Sequence, residues 1–112
     1  MSCIFCKIAS GEIPATVAHR DEDVVAVVDS NPQAPEHLLV MPVKHYDNIA
    51  DLAASNDDAL MAKLFDIAAQ LGREQSASGF RLVVNTGPDG GQTVDHMHVH
   101  VLAGRPMTWP PG

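Results

Sequence analysis

The sequence predicts an α+β fold, a largely antiparallel sheet with one long helix on one face. Two observations carry that expectation. Compact apolar runs such as Val24–Val28 and Arg81–Asn85 are short, rich in β-branched residues and bounded by turn residues. One segment alone, Leu60 to Leu71, sustains a helical stripe, and short strands lie before and after it.

In chain order, Cys6 to Ser10 allows a short N-terminal helix, and Thr16 to His19 fits a further strand or a sheet edge. Val24–Val28 ends at Asp29 and reads as a buried strand; Leu38–Met41 follows His37 and stops at Pro42. In the long helix, Leu60, Met61, Leu64, Phe65, Ala68 and Leu71 recur at three- and four-residue steps. Ser55 is its expected cap, with Asp57 in the first turn, Asp58 as a weak capping-box partner, and Gly72 or Gly79 as the stop. Arg81–Asn85 and Met97–Ala103 complete the strands. Turns fall at Gly11–Pro14, Asn31–Pro35 and Gly87–Gly91. The helix must cover one face of the sheet, because nothing else is long enough. The other face is left for an active site or a partner subunit.

A chain of 112 residues, without internal repeat or linker, is expected to form one domain over 1–112. Its 46% hydrophobic and 19% charged residues are those of a globular protein. No apolar run approaches the ~20 residues of a membrane span. The opening Met1–Cys6 lacks the basic and apolar regions of a secretory signal, so a cytoplasmic location is expected. The net charge of -7 argues against a nucleic acid or an anionic membrane as partner, since both require a basic surface. A phosphate-bearing substrate would therefore have to be captured by local donors.

Cys3 and Cys6 are the only cysteines, spaced C-x2-C. A structural disulfide is disfavoured in a reducing compartment, and a redox pair would need a preceding strand. Half of a zinc site is the better reading, with two ligands to come from elsewhere.

Three of the six histidines fall within five positions: His96, His98 and His100. On a strand they project from one face about 7 Å apart, while Met97, Val99 and Val101 face the core. They compete as metal ligands or as a nucleophile with partners. The outer two, about 14 Å apart, reach poorly to one ion. Just upstream, Gly87-Pro88-Asp89-Gly90-Gly91-Gln92-Thr93 offers backbone amides and two polar side chains to an anion. The combination describes a phosphoryl site: donors for non-bridging oxygens and an imidazole placed to attack phosphorus.

His96 to Leu102 resembles the signature of the histidine triad superfamily, His-φ-His-φ-His-φ-φ with φ apolar, at every position. The likeness covers nearly the whole chain. It includes Cys3–Ile8 with Gly11–Pro14, Asp29, Pro35-Glu36-His37, Leu39–Pro42, Val83–Asn85 and Gly90–Thr93. The ending Gly104–Gly112 is similar to that of the Hint branch, the purine nucleoside phosphoramidases.

The resemblance implies a five-stranded, mainly antiparallel sheet that a homodimer extends across two subunits. It implies that His98 is the nucleophile of a nucleotidyl-histidine intermediate and that His100 and His37 orient it or relay protons. Asp29, with Ser30 beside it, is implied to meet the ribose; Asn85, Gly91, Gln92 and Thr93 the phosphate and leaving group; Trp109 the rim of the partner's site. A structural zinc is implied at Cys3, Cys6, His45 and His96, with no catalytic cofactor. Thr93 departs from the family's usual Ser, adding a methyl group that restricts χ1. His19 matches no motif and reads as a surface or edge residue.

The expected activity is hydrolysis of purine nucleoside monophosphate derivatives, phosphoramidates or acyl-adenylates. The rivals are a dinucleoside polyphosphate hydrolase of the same superfamily, a catalytically weak nucleotide-binding module, and a zinc-dependent interaction module.

Overall fold

The computed structural model describes residues 3–112; Met1 and Ser2, part of the segment read for a targeting signal, lie outside them. Its elements are α1 (Ile4–Ser10), β1 (Val17–Arg20), β2 (Val24–Val28), β3 (Glu36–Pro42), α2 (Ile49–Ala54), α3 (Asp58–Gln75), β4 (Phe80–Val83) and β5 (Val99–Ala103). The strands form one sheet in the order β1-β2-β3-β5-β4, and each neighbouring pair is antiparallel. The α+β expectation therefore holds, with the possible strand at Thr16–His19 placed at one edge.

The residue alternation of the strands divides the core. Val24, Ala26, Leu38, Val40, Met97, Val99 and Val101 pack under α3 against Leu60, Leu64, Ile67, Ala68 and Leu71. Val25, Val27, Leu39 and Met41 point to the opposite face, where Phe5 and Ala9 of α1 cover part of it. Seven residues of α1 are too few to cover that face. An open cleft remains beside it.

The helix boundaries differ from expectation. Asp57 caps α3, its side chain accepting from the Leu60 amide at 3.1 Å. Ser55 is instead the C-cap of α2, where its hydroxyl donates to the Leu52 carbonyl at 2.6 Å. That short helix buries only Leu52, so it leaves no periodic stripe in the sequence. Helix α3 also runs through Gly72 to Gln75. A side chain at Gly72 would meet the Phe80 ring at 2.5 Å, so glycine serves the close approach of β4 rather than a stop.

Strand β5 begins at Val99, not Met97, because the Met97 amide donates to Tyr46 O, outside the ladder. The alternation nevertheless continues upstream. Met97 is buried beneath α3, while the His96 and His98 rings meet Phe5 on the other face. Among the described residues, no helix is long and apolar enough to cross a membrane.

Candidate active site and metal-ligand cluster

A cavity of about 670 Å³ opens beside α1 and collects Asp29, Ser30, His37, Thr93, His98 and His100. Ile4, Phe5 and Ile8 form its apolar wall. This size and mixture suit a small-molecule site, mostly apolar with a few convergent polar groups. A second cavity of about 600 Å³, between Ser78–Arg81 and Gly104–Met107, holds no histidine.

Hydrogen bonds determine which nitrogen of each imidazole carries its proton. His98 Nδ1 lies 2.7 Å from His96 O, a pure acceptor, so Nδ1 is protonated. The Nε2 lone pair of neutral His98 is then free. Gln33 N–H donates to His37 Nδ1 at 3.0 Å, which puts the His37 proton on Nε2. That Nε2–H donates to His100 Nδ1 at 2.9 Å, with the Asp29 carboxylate 3.4 Å away. His100 accordingly keeps its proton on Nε2. The three rings present one lone pair and one donor in a fixed order.

Asp29, His37 and His100 are also close enough to be considered as metal ligands. A metal on His37 Nε2 would drive the proton to Nδ1, where the Gln33 amide already points. The trio is better suited to a hydrogen-bonded relay.

Burial first, then the neighbouring His98 and His37, push His100 down to about 4, with Asp29 pulling weakly the other way. Burial likewise lowers His37. Both rings stay neutral near pH 7, as the relay requires. The linkage has a definite sign. An unfolded chain binds the His100 proton below its ordinary 6.5 while the folded one refuses it, so stability is lost as pH falls from 6.5 toward about 4. Urea titrations at stepped pH should show that decline, and His100→Gln should flatten it. Identical slopes for the two proteins would contradict the assignment.

The second cluster lies at the N-terminus of α1. Cys3 caps that helix, its Sγ accepting from the Cys6 amide at 3.3 Å. Burial raises the Cys3 thiol, but the Cys6 amide and the bonds from Cys6 and His45 outweigh it and lower the net value. Burial and the adjacent Cys3 raise Cys6. Cys6 Sγ lies 3.3 Å from His45 Nδ1 and 3.5 Å from His96 Nδ1; Cys3 Sγ lies 3.4 Å from His96 Nδ1. The two Nδ1 atoms are 3.2 Å apart, and all four ligand atoms lie within 4.8 Å of one another.

A tetrahedron built on ordinary zinc–nitrogen and zinc–sulfur bonds has edges of roughly 3.3 to 3.8 Å, so the donor set fits such an ion. The far nitrogens fit as well. His45 Nε2 donates to Asp47 at 2.7 Å and His96 Nε2 to Pro42 O at 2.8 Å, turning both Nδ1 lone pairs inward.

The remaining candidates lie elsewhere. Asn85 Nδ2 donates to Gly91 O at 3.4 Å, and Asn85 lines a different cavity, with Arg81 and Arg105. Gly91 and Gln92 do not line the histidine cleft, whereas Thr93 does. Trp109 is 82% exposed in the C-terminal tail. His19, on the edge strand, pairs with Asp21 at 2.7 Å. Sequence reasoning missed the wall residues Ile4, Phe5 and Ile8. Their spacing on α1 was the available signal.

The HIT domain model matches residues 10–107. A solved HIT family hydrolase from Legionella pneumophila Philadelphia 1 superposes with a TM-score of 0.91 at 50% identity, covering 99% of this chain and 100% of that one. A 14 kDa zinc-binding protein of Zea mays is 44% identical over 97% of this chain and 87% of its own length. Adenylylsulfatase HINT1 of Arabidopsis thaliana is also 44% identical, over 97% of this chain and 76% of its own length. With the triad, the fold and these likenesses in agreement, the chain belongs to the HIT domain family.

Proposed function

We propose that this protein hydrolyses purine nucleoside monophosphate derivatives, phosphoramidates or acyl-adenylates, through a nucleotidyl-histidine intermediate. The observation that carries the reading is the His98 tautomer: Nδ1–H bound to His96 O leaves Nε2 as an unprotonated nucleophile in the cleft. The names of the Legionella hydrolase and the Arabidopsis adenylylsulfatase support hydrolysis at a nucleotide.

In this mechanism His98 Nε2 attacks the α-phosphorus. A P–N bond to the ring forms as the bond to the amine or acyl group breaks. The departing amine takes a proton from the donors gathered there, the His100 Nε2–H fed by His37 and the Thr93 hydroxyl. Water then attacks phosphorus and returns a proton to the Thr93 and His100 donors, the P–Nε2 bond breaks, and the monophosphate leaves. Asp29 and Ser30 hold the ribose, and Ile4, Phe5 and Ile8 wall the base. Asn85 and Gly91 support the phosphate end through the loop they build, and Gln92 makes its bonds within the protein rather than to substrate.

Cys3, Cys6, His45 and His96 would hold a zinc ion as a structural tie between α1 and the segment before β5. The name of the maize relative supports a metal there. When bound, the ion supplies four fixed bonds to the fold, and the nucleophile is a ring nitrogen outside its donor set. Reduced thiols accord with a cytoplasmic location. A homodimer that continues the sheet accords with β4 at the sheet's end and with its exposed Phe80, and it would bring the Trp109 tail to the partner's rim.

Intact-mass spectrometry tests the covalent step. Brief incubation with adenosine 5′-phosphoramidate, quenched in base because P–N bonds to imidazole are acid-labile, should yield protein carrying one adenylyl group on His98. Turnover without any adduct, even when single-turnover mixtures are quenched early, would favour direct attack by water instead.

A further inference from the structure

We infer that Gln92 is a positioning residue, whose side-chain amide locks the loop carrying Thr93 and fastens that loop to the metal-ligand segment at Asp47. The inference rests on the hydrolase reading above, because it gives a consequence to the role of Thr93 there.

Gln92 spends its amide on the protein. Its Oε1 accepts from the Gly87 amide at 3.0 Å, and its Nε2 donates to Asp47 O at 2.6 Å and to Val94 O at 3.0 Å. Both N–H groups face carbonyls, so the flipped amide would set oxygen against oxygen. No donor is left for a phosphate.

The backbone closes the same ring from the other side. Gln92 N–H donates to Gly87 O and Gly91 N–H to Pro88 O, each at 3.1 Å. Gly91 takes φ +79, a turn that side chains resist. The bond from Gln92 to Val94 O bridges Thr93, the residue between them.

Thr93 itself is exposed, and among the described residues its hydroxyl makes no hydrogen bond. Its place is therefore set by its neighbours' bonds. It borders the histidine cleft and also the cavity that holds Cys3, His45 and Asp47. Asp47 joins the two regions: its carboxylate receives His45 Nε2–H, and its backbone carbonyl receives Gln92. The chain His45–Asp47–Gln92 is a strut from the metal ligands to the loop.

The chemistry gives this strut a signature. An amine leaving group must gain a proton as its P–N bond breaks, and Thr93 supplies a donor there. A nitrophenolate leaves with its own charge and needs none. Displacing Thr93 should slow the first reaction selectively, since a misplacement of about 1 Å costs up to about 100-fold.

The experiment compares wild type, Gln92→Met and Gln92→Glu on adenosine 5′-phosphoramidate and on the p-nitrophenyl ester of adenosine monophosphate. Methionine keeps the length and removes every bond; glutamate keeps the shape and turns an oxygen toward two carbonyls. Expected is a fall in kcat of about 10- to 100-fold on the phosphoramidate, against a change within about threefold on the ester. Amide exchange at Gly87 should become fast in Gln92→Met, which removes its acceptor, with bound zinc per chain unchanged. Adding Thr93→Val to Gln92→Met should cost little beyond Thr93→Val alone.

Equal losses on both substrates, or full additivity of the double variant, would overturn the proposal. Where methionine prevents folding, the glutamate variant carries the same comparison. If wild type turns over neither substrate, the hydrolase reading fails, while Gly87 exchange still reports whether the brace exists.

Discussion

His98→Ala is expected to lose at least about 10⁴-fold in kcat on adenosine 5′-phosphoramidate, the scale seen when a nucleophile is removed. The size follows from the site. His98 alone offers a free lone pair in the cleft, because the protonation of His37 and His100 is fixed by Gln33 N–H and by each other. Neither neighbour can substitute without breaking that chain. Monophosphate binding should persist, since Asp29, Ser30 and the apolar wall remain. Alanine also removes the ring that packs 4.9 Å from Phe5, so His98→Asn is the cleaner partner. Its amide can still donate to His96 O but cannot attack phosphorus productively. Equilibrium dialysis with AMP, beside single-turnover rates, separates the two effects. Retention of more than about a tenth of wild-type kcat by both variants would remove His98 from the mechanism.

The same residues show what a sequence can and cannot carry. The alternation of His96, His98 and His100 with apolar neighbours places the rings on the face opposite α3, and the structure agrees. Ideal strand spacing predicts about 7 Å between successive rings. The His98 and His100 rings instead approach to 4.9 Å at a tilt of 67°. The strand ladder begins only at Val99, leaving His96 and His98 in the irregular segment before it.

Tautomers are invisible to any pattern, because they depend on the backbone of Gln33, Pro42 and His96. The C-x2-C spacing leaves two ligands open; the family resemblance names His45 and His96, and the fold brings both to the cysteines. Ser55 and Asp57 are both good cap residues. Which one caps α3 is decided by α2, whose single buried residue writes no periodicity. Gln92 reads as a phosphate donor in a Gly-rich run, yet its partners are carbonyls, one of them 45 residues away.

Removing zinc should cost stability far more than it costs the nucleophile. The four residues that would hold the ion, Cys3, Cys6, His45 and His96, join α1, the loop after β3 and the segment entering β5, whereas the larger core beneath α3 lies on the opposite face. Chelation should therefore release α1 without unfolding the sheet. If zinc stands at about 1,000 times its dissociation constant, binding contributes about 4 kcal/mol, so Tm should fall by on the order of 10 °C or more. Cys3→Ser/Cys6→Ser should reproduce that shift in protein that never held metal.

Amide exchange should rise first at Phe5 to Ile8 and stay slow in β3 and β5. Turnover should fall by a smaller factor. Loosening α1 moves one wall of the cleft, and freeing His45 slackens Asp47 beneath Gln92, but His98 keeps its bond to the His96 carbonyl. A catalytic metal would behave differently: chelated protein, still folded by exchange, would be as inactive as His98→Ala. A zinc-dependent interaction module would lose partner binding and show no turnover to lose. The ratio of the two losses, in Tm and in kcat, is therefore what assigns the ion its role.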